Sequence, residues 1–139
     1  MTNEEMATSA LNLAARILGE AKRYRKDGAS SLTIRRSQEV VEPALKGVLR
    51  FLGLEVPRVH DVSGFFHRHR DRLPPHIAEN LDRITRISRT LREEREISFY
   101  GDEEAGFTPD ELYTEEDAEK AISDATFIFD LCAQVIKRK

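Results

Sequence analysis

An all-α fold, an up-and-down bundle of five helices, is predicted by three observations. Apolar residues recur at helical spacing through most of the chain, Gly and Pro fall between those runs, and no segment keeps the two-residue alternation of a strand. A chain of 139 residues suits one domain over 1–139. At that size about two-thirds of the unfolded surface can be buried without disulfides.

The first helix is expected over Asn3–Lys26. Met6, Ala10, Leu13, Ala14, Ile17, Leu18 and Ala21 share one apolar face. Glu4 and Glu5 near its start, and Lys22, Arg23, Arg25 and Lys26 near its end, suit the helix dipole. The second helix begins near Ser31 or Leu32 and runs to Leu52, with Val40, Val41, Ala44, Leu45, Val48, Leu49 and Leu52 paired four apart. Pro43 interrupts it at a cost of about 3 kcal/mol. The apolar pairs keep phase across the proline, which predicts a kink near Glu39–Pro43 and not a break. Gly53 and Pro57 then end the helix.

A third helix is expected over Val62–Leu73, capped by Asp61 and stopped by Pro74-Pro75. The fourth, Pro75–Ile97, turns Ile77, Leu81, Ile84, Ile87 and Leu91 inward. Residues 98–113 lose the period and read as a loop pinned by Phe99, Tyr100, Phe107 and Tyr113. The last helix starts at Thr114, whose spacing to Asp117 is that of a capping box. Ala118, Ala121, Ile122, Ala125, Ile128, Phe129, Cys132 and Ile136 form its apolar face, and Lys137-Arg138-Lys139 finish it.

Composition narrows the function classes. Cys132 is the only cysteine, so it cannot form an internal bridge; it reads as a small buried residue in a reducing compartment. No run of apolar residues reaches membrane-spanning length. The start, MTNEEMATS, lacks a signal peptide's basic end and apolar core, so a soluble cytoplasmic protein is expected. The net charge of −3 excludes the global basic excess of a dedicated nucleic-acid binder. Charge is nevertheless segregated: 16–36 and 58–95 are basic, and 96–119 holds acids with no Lys or Arg. A dipolar surface follows, able to steer an anion or a partner.

Glu42 and Lys46 inside an apolar helix, a short Gly/Pro turn, then His60-Asp61 before a new helix together resemble the HEPN family (higher eukaryotes and prokaryotes nucleotide-binding domain). The resemblance covers most of the chain, from a first helix around Leu11–Lys26 through the Arg-rich fourth helix and the aromatic-acidic loop to the last helix. Pro43 departs from it, since the family usually has a helix former there. The resemblance implies a helical bundle, a homodimer with a positively lined groove, and a frequent partner, a small nucleotidyltransferase of the minimal type, often in a toxin–antitoxin pair. Catalytic members carry an arginine, four to six residues, then a histidine, near the end of the helix before the last. Here Arg95 stands in that place, but Tyr100 occupies the histidine's position. A phenol titrating near 10 is a poor base at neutral pH, so the resemblance implies binding without ribonuclease activity. The alternatives are a metal-independent endoribonuclease using Arg95 with His60 or Tyr100, and a purely structural dimer.

The candidate residues each have a plainer reading beside the functional one. Glu42 and Lys46 form a helix-stabilising pair, or Lys46 meets a phosphate beside a groove. In Arg58-Val59-His60-Asp61, His60 orders a turn while Asp61 caps a helix, or His60 acts as a base or phosphate contact. Arg83, Arg86, Arg89, Arg92 and Arg95 recur every third residue. They make a solvated face paired with Glu79 and Asp82, or an anion-binding wall. Its far end, at Arg92 and Arg95, lies by Phe99 and Tyr100, a combination that suits a stacked base. Lys46, Arg58, His60, Arg92, Arg95 and Tyr100 are therefore the candidate nucleotide- or RNA-binding set.

Arg70 and His76 also match the arginine–histidine spacing, but Pro74-Pro75 places them on different helices. His67 and His69, two apart, point away from one another, so with His60 and His76 they make no sensible metal set. No glycine-rich phosphate loop is present, and no cofactor is expected.

Overall fold

The computed structural model describes residues 1–59, 61–101 and 104–136, with the backbone alone over 95–100. Four long helices make the bundle: α1 (Asn3–Lys26), α2 (Ser30–Phe51), α5 (Leu81–Tyr100) and α7 (Glu115–Ile136). Three short ones, α3 (Ser63–Arg68), α4 (Pro75–Ala78) and α6 (Pro109–Leu112), and a 3₁₀ turn at Arg70–Arg72, connect them. No strand occurs among the described residues.

The central element is α2, which packs against α1, α5 and α7. Val40, Val41, Ala44, Leu45, Val48 and Leu49 are all buried on it. As the unbroken apolar phase predicts, the helix passes through Pro43 without ending. Burial on both sides of the proline offsets its lost backbone bond. Gly47 is also buried there. A Cβ at this position would lie 3.1 Å from the Ile136 side chain, 3.4 Å from the Ala10 Cβ and 3.4 Å from the Ala7 carbonyl. The missing side chain thus lets α1 and α7 close onto α2 at one point.

The predicted α1 bounds agree with the structure, and its start is held by a reciprocal cap between Thr2 and Glu5. Ala14, Leu18 and Ala21 are buried as predicted, but in the first turns the buried positions are Ala7 and Leu11 in place of Met6 and Ala10. Leu13 is 50% exposed. The first turns carry alanines on both flanks, which leaves the phase of the stripe ambiguous in the sequence.

Two predicted helices are each divided. Over Val62–Leu73 the α-helix ends at Arg68 and a 3₁₀ turn follows, with Arg72 N–H donating to the His69 carbonyl at 2.9 Å. Over Pro75–Ile97 the division falls at Glu79-Asn80. The Asn80 side-chain amide donates to the His76 carbonyl at 2.7 Å, and the Asn80 N–H turns to Ile77 instead. An asparagine side chain thereby replaces the main-chain bond that would have continued the helix. The Asn80 carbonyl then accepts the first bond of α5, from Ile84 N–H. Ile77, Leu81, Ile84, Ile87 and Leu91 are all buried, as their spacing predicts.

Over 98–113 the structure departs from a plain loop. The α5 backbone continues to Tyr100, and Thr108-Pro109-Asp110-Glu111 forms a capped turn of helix, with Thr108 N–H and Oγ donating to Glu111. Ser31 Oγ donates to Asp110 at 2.7 Å and ties this turn to α2. Of the expected aromatic pins, Tyr113 packs half-buried on the core, but Phe107 is 48% exposed. The side chains of Phe99 and Tyr100 lie outside the described residues, as does the basic end at 137–139. The Thr114 cap is present, with Asp117 N–H donating to Thr114 Oγ at 3.2 Å.

Gly101 ends α5 with φ +75°, and a Cβ there would run into the Phe107 carbonyl. Gly101→Ala is expected to lower unfolding stability by at least about 1–2 kcal/mol, measured as a fall in the urea midpoint at unchanged slope. An unchanged midpoint would show that the turn relaxes freely.

Candidate functional site

Helix α2 and the segment after it build one polar groove of about 540 Å³. Its wall is Glu42, Lys46 and Arg50, spaced four apart on α2 and so aligned on one face. Its opposite side is Val56, Pro57, Arg58 and Val59. Gly53, at φ +74°, reverses the chain after α2 and so brings that side back over the wall. Two sequence candidates, Lys46 and Arg58, therefore meet in the same groove.

Lys46 Nζ lies 3.0 Å from Glu42 Oε2, both partly buried, so the carboxylate holds the ammonium in place at the rim. Arg58 is exposed, and among the described residues it has no ion-pair partner. Arg50 Nη1 donates to the Met6 sulfur at 3.5 Å and has no ion-pair partner among the described residues. Three cations against one carboxylate leave the groove positive, while Val56, Pro57 and Val59 give it an apolar side. Such a surface holds phosphate oxygens at one edge and a flat apolar group at the other. Sequence reasoning missed Arg50; its spacing of four from Lys46 was the signal for it.

Asp61 is structural. Its Oδ1 accepts from Ser63 N–H (3.0 Å), Ser63 Oγ (2.6 Å) and Ser88 Oγ (3.1 Å), and Arg89 Nε lies 3.9 Å from Oδ2. The carboxylate thus holds the first N–H of α3 from the residue before its N-cap, Val62, so the helix starts one residue later than predicted, and it also ties the helix to α5. Burial pushes its pKa up, but these hydrogen bonds and Arg89 outweigh that and hold it below the usual carboxyl value. Beside it, His67 Nε2 lies 2.8 Å from Thr85 Oγ. The Thr85 hydroxyl donates its one proton to the Leu81 carbonyl, so it accepts from His67, and the imidazole carries its proton on Nε2. Ser63, Thr85 and Ser88 are all buried. Thr85 and Ser88 fall in the apolar phase of α5, where a polar residue signals a buried bond.

The arginine series does not make one wall. The Arg83 guanidinium stacks 3.6 Å from the Phe127 ring centre on α7, and with Arg86 it lines a separate recess. Arg89 turns the other way, to Asp61. Arg92 is exposed and lines neither the Lys46 groove nor that recess. Arg95 and Tyr100 fall in the last turns of α5, with side chains outside the described residues; His60 lies outside them altogether. Arg70 and His76 sit on different elements. Among the described residues no three His, Cys, Asp or Glu side chains are placed to hold a metal. Nor is any helix there long and apolar enough to cross a membrane.

A family model described as "HEPN domain" matches residues 4–136. The crystal structure of an archaeal HEPN homologue superposes with a TM-score of 0.69 at 30% identity, covering 94% of this chain and 97% of that one. No curated protein matches the chain.

Proposed function

The chain belongs to the HEPN family, and from that premise we propose that it is a nucleotide-binding and interaction module without catalysis of its own. The observation that carries this reading is the convergence of Lys46, Arg50 and Arg58 on one apolar-sided groove. Lys46 and Arg58 hold the phosphates, and Val56 and Val59 offer the base an apolar edge. His60, Arg92, Arg95 and Tyr100 complete the candidate set on the strength of residue type and sequence position. Tyr100, standing where the arginine–histidine pattern has its histidine, supports catalytic silence, since a phenol titrating near 10 is a poor base at neutral pH. The same reading makes the protein a homodimer that works with a small nucleotidyltransferase, in the manner of a toxin–antitoxin pair.

The test is thermal melting with a panel of nucleotides and short RNAs. A ligand that binds only the folded form raises the midpoint. Arg58→Ala and Lys46→Ala are each expected to weaken the best ligand about tenfold by calorimetry, equivalent to about 1.4 kcal/mol, with the free protein melting as before. Undiminished affinity in both variants would remove the groove from the site. Cleavage of generic RNA in EDTA, lost in Arg95→Ala, would overturn catalytic silence and favour the ribonuclease.

A further inference from the structure

A second charged groove, of about 560 Å³, lies at the far end of α1. The last two turns of α1 supply Lys22, Arg23, Arg25 and Lys26, and α7 supplies Glu119, Ile122 and Ser123. Arg25 pairs with Glu119. Lys22, Arg23 and Lys26 are exposed, and among the described residues none of them has an ion-pair partner. Basic residues at a helix C-terminus offset its dipole, yet that effect amounts to about half a charge. Three unpaired cations exceed it.

The floor of this groove identifies what it fits. Ile122 belongs to the apolar face of α7 but is only half-buried, because α7 turns it toward the groove and not into the core. No aromatic side chain lines the groove, so it offers nothing on which a base could stack. It also holds no buried polar side chain or exposed helix N-terminus to enclose a small anion. Within the chain itself, Glu119 already shows how a carboxylate seats against this cation row, beside an isoleucine.

We propose that the α1–α7 groove docks an acid-rich, apolar-anchored peptide segment of a partner protein, with Lys22, Arg23 and Lys26 meeting carboxylates and Ile122 taking an apolar anchor. This surface is separate from the Lys46–Arg58 groove, and its occupancy does not depend on any nucleotide. Charge steers the encounter and makes it sensitive to salt, and the apolar anchor gives it specificity over a free polyanion.

The experiment is fluorescence anisotropy on the full chain. The probe is a labelled nine-residue peptide of glutamates with leucine at every third position. The control replaces every glutamate by glutamine, and a ten-nucleotide uridylate is the competing polyanion. Saturable binding of the acidic peptide is expected at roughly 50 mM salt, weakening at roughly 300 mM, with none for the glutamine control. The exposed double variant Lys22→Glu/Lys26→Glu should weaken it at least about tenfold, and Ile122→Ser at least about threefold, whereas Arg86→Glu leaves it within about twofold. Melting curves of the variants should match the parent. The proposal is overturned by the absence of saturable binding, or by equal binding in the double variant. Tighter binding of the uridylate at the same residues would assign the groove to nucleic acid. Self-association on gel filtration that the double variant abolishes would assign it to a second copy. Either outcome also overturns the proposal.

Discussion

Replacing Phe66 by alanine is expected to remove about 3–5 kcal/mol of stability, a large share of the roughly 5–15 kcal/mol available to a domain. Phe66 is 0% exposed and is the largest of the fully buried side chains. It sits on α3, a helix of six residues, too short to persist without tertiary contacts. Truncation leaves a ring-sized void that so short a helix cannot refill, and the apolar transfer energy of the ring is lost with it. The expected readout is a fall in melting temperature on the order of 10–20 °C. Phe66→Leu, which keeps most of the volume, should recover more than half of it. If the alanine variant instead melts near the parent, α3 is not anchored as its burial implies.

Asp61→Ala should cost about 2–3 kcal/mol, since Ser63 N–H and two hydroxyls lose a charged acceptor in a mostly buried place. This loss depends on pH. The folded carboxyl lies below its ordinary value of 3.8, so its contribution is complete above the unfolded carboxyl range. It disappears as the pH falls through the folded value. Parent and variant should therefore differ most above the unfolded carboxyl range, by about 2–3 kcal/mol, and the gap should narrow as the pH falls below that range. Melting of both proteins across that range checks it. A constant difference at all pH values would mean that Asp61 acts through shape and not charge.

Much of the bundle was legible in the sequence because long apolar periods leave little choice. The bounds of α1, the passage of α2 through Pro43 and the inner face of α5 all follow from residue spacing. The breaks were less legible. Asn80 ends one helix and begins another with its side-chain amide, and Thr108 with Glu111 builds a capped turn inside an aperiodic stretch. Both are single-residue hydrogen-bonding choices, invisible to a period. In the candidate site, Lys46 and Arg58 were identified from residue type and neighbourhood. Their meeting in one groove was not, because it depends on how Gly53 reverses the chain. The arginine series repeats every three residues, so its stripe winds around the helix. Arg83 and Arg89 consequently face different neighbours.

The crossing at Gly47 has a consequence for how this protein tolerates change. Lys46, Gly47 and Arg50 lie within one turn of α2, yet they answer to different constraints. A Cβ at 47 already lies 3.1 Å from Ile136 and 3.4 Å from the Ala7 carbonyl, so larger side chains there should lower the amount of folded protein in a cell. At 46 and 50, where the side chains reach the groove, most substitutions should leave abundance intact and change only ligand occupancy. A saturation library over 42–50, sorted once for abundance and once for ligand retention, would then alternate between two kinds of intolerance along a single helix. Residues that build the scaffold and residues that face the ligand would be separated without any bound complex.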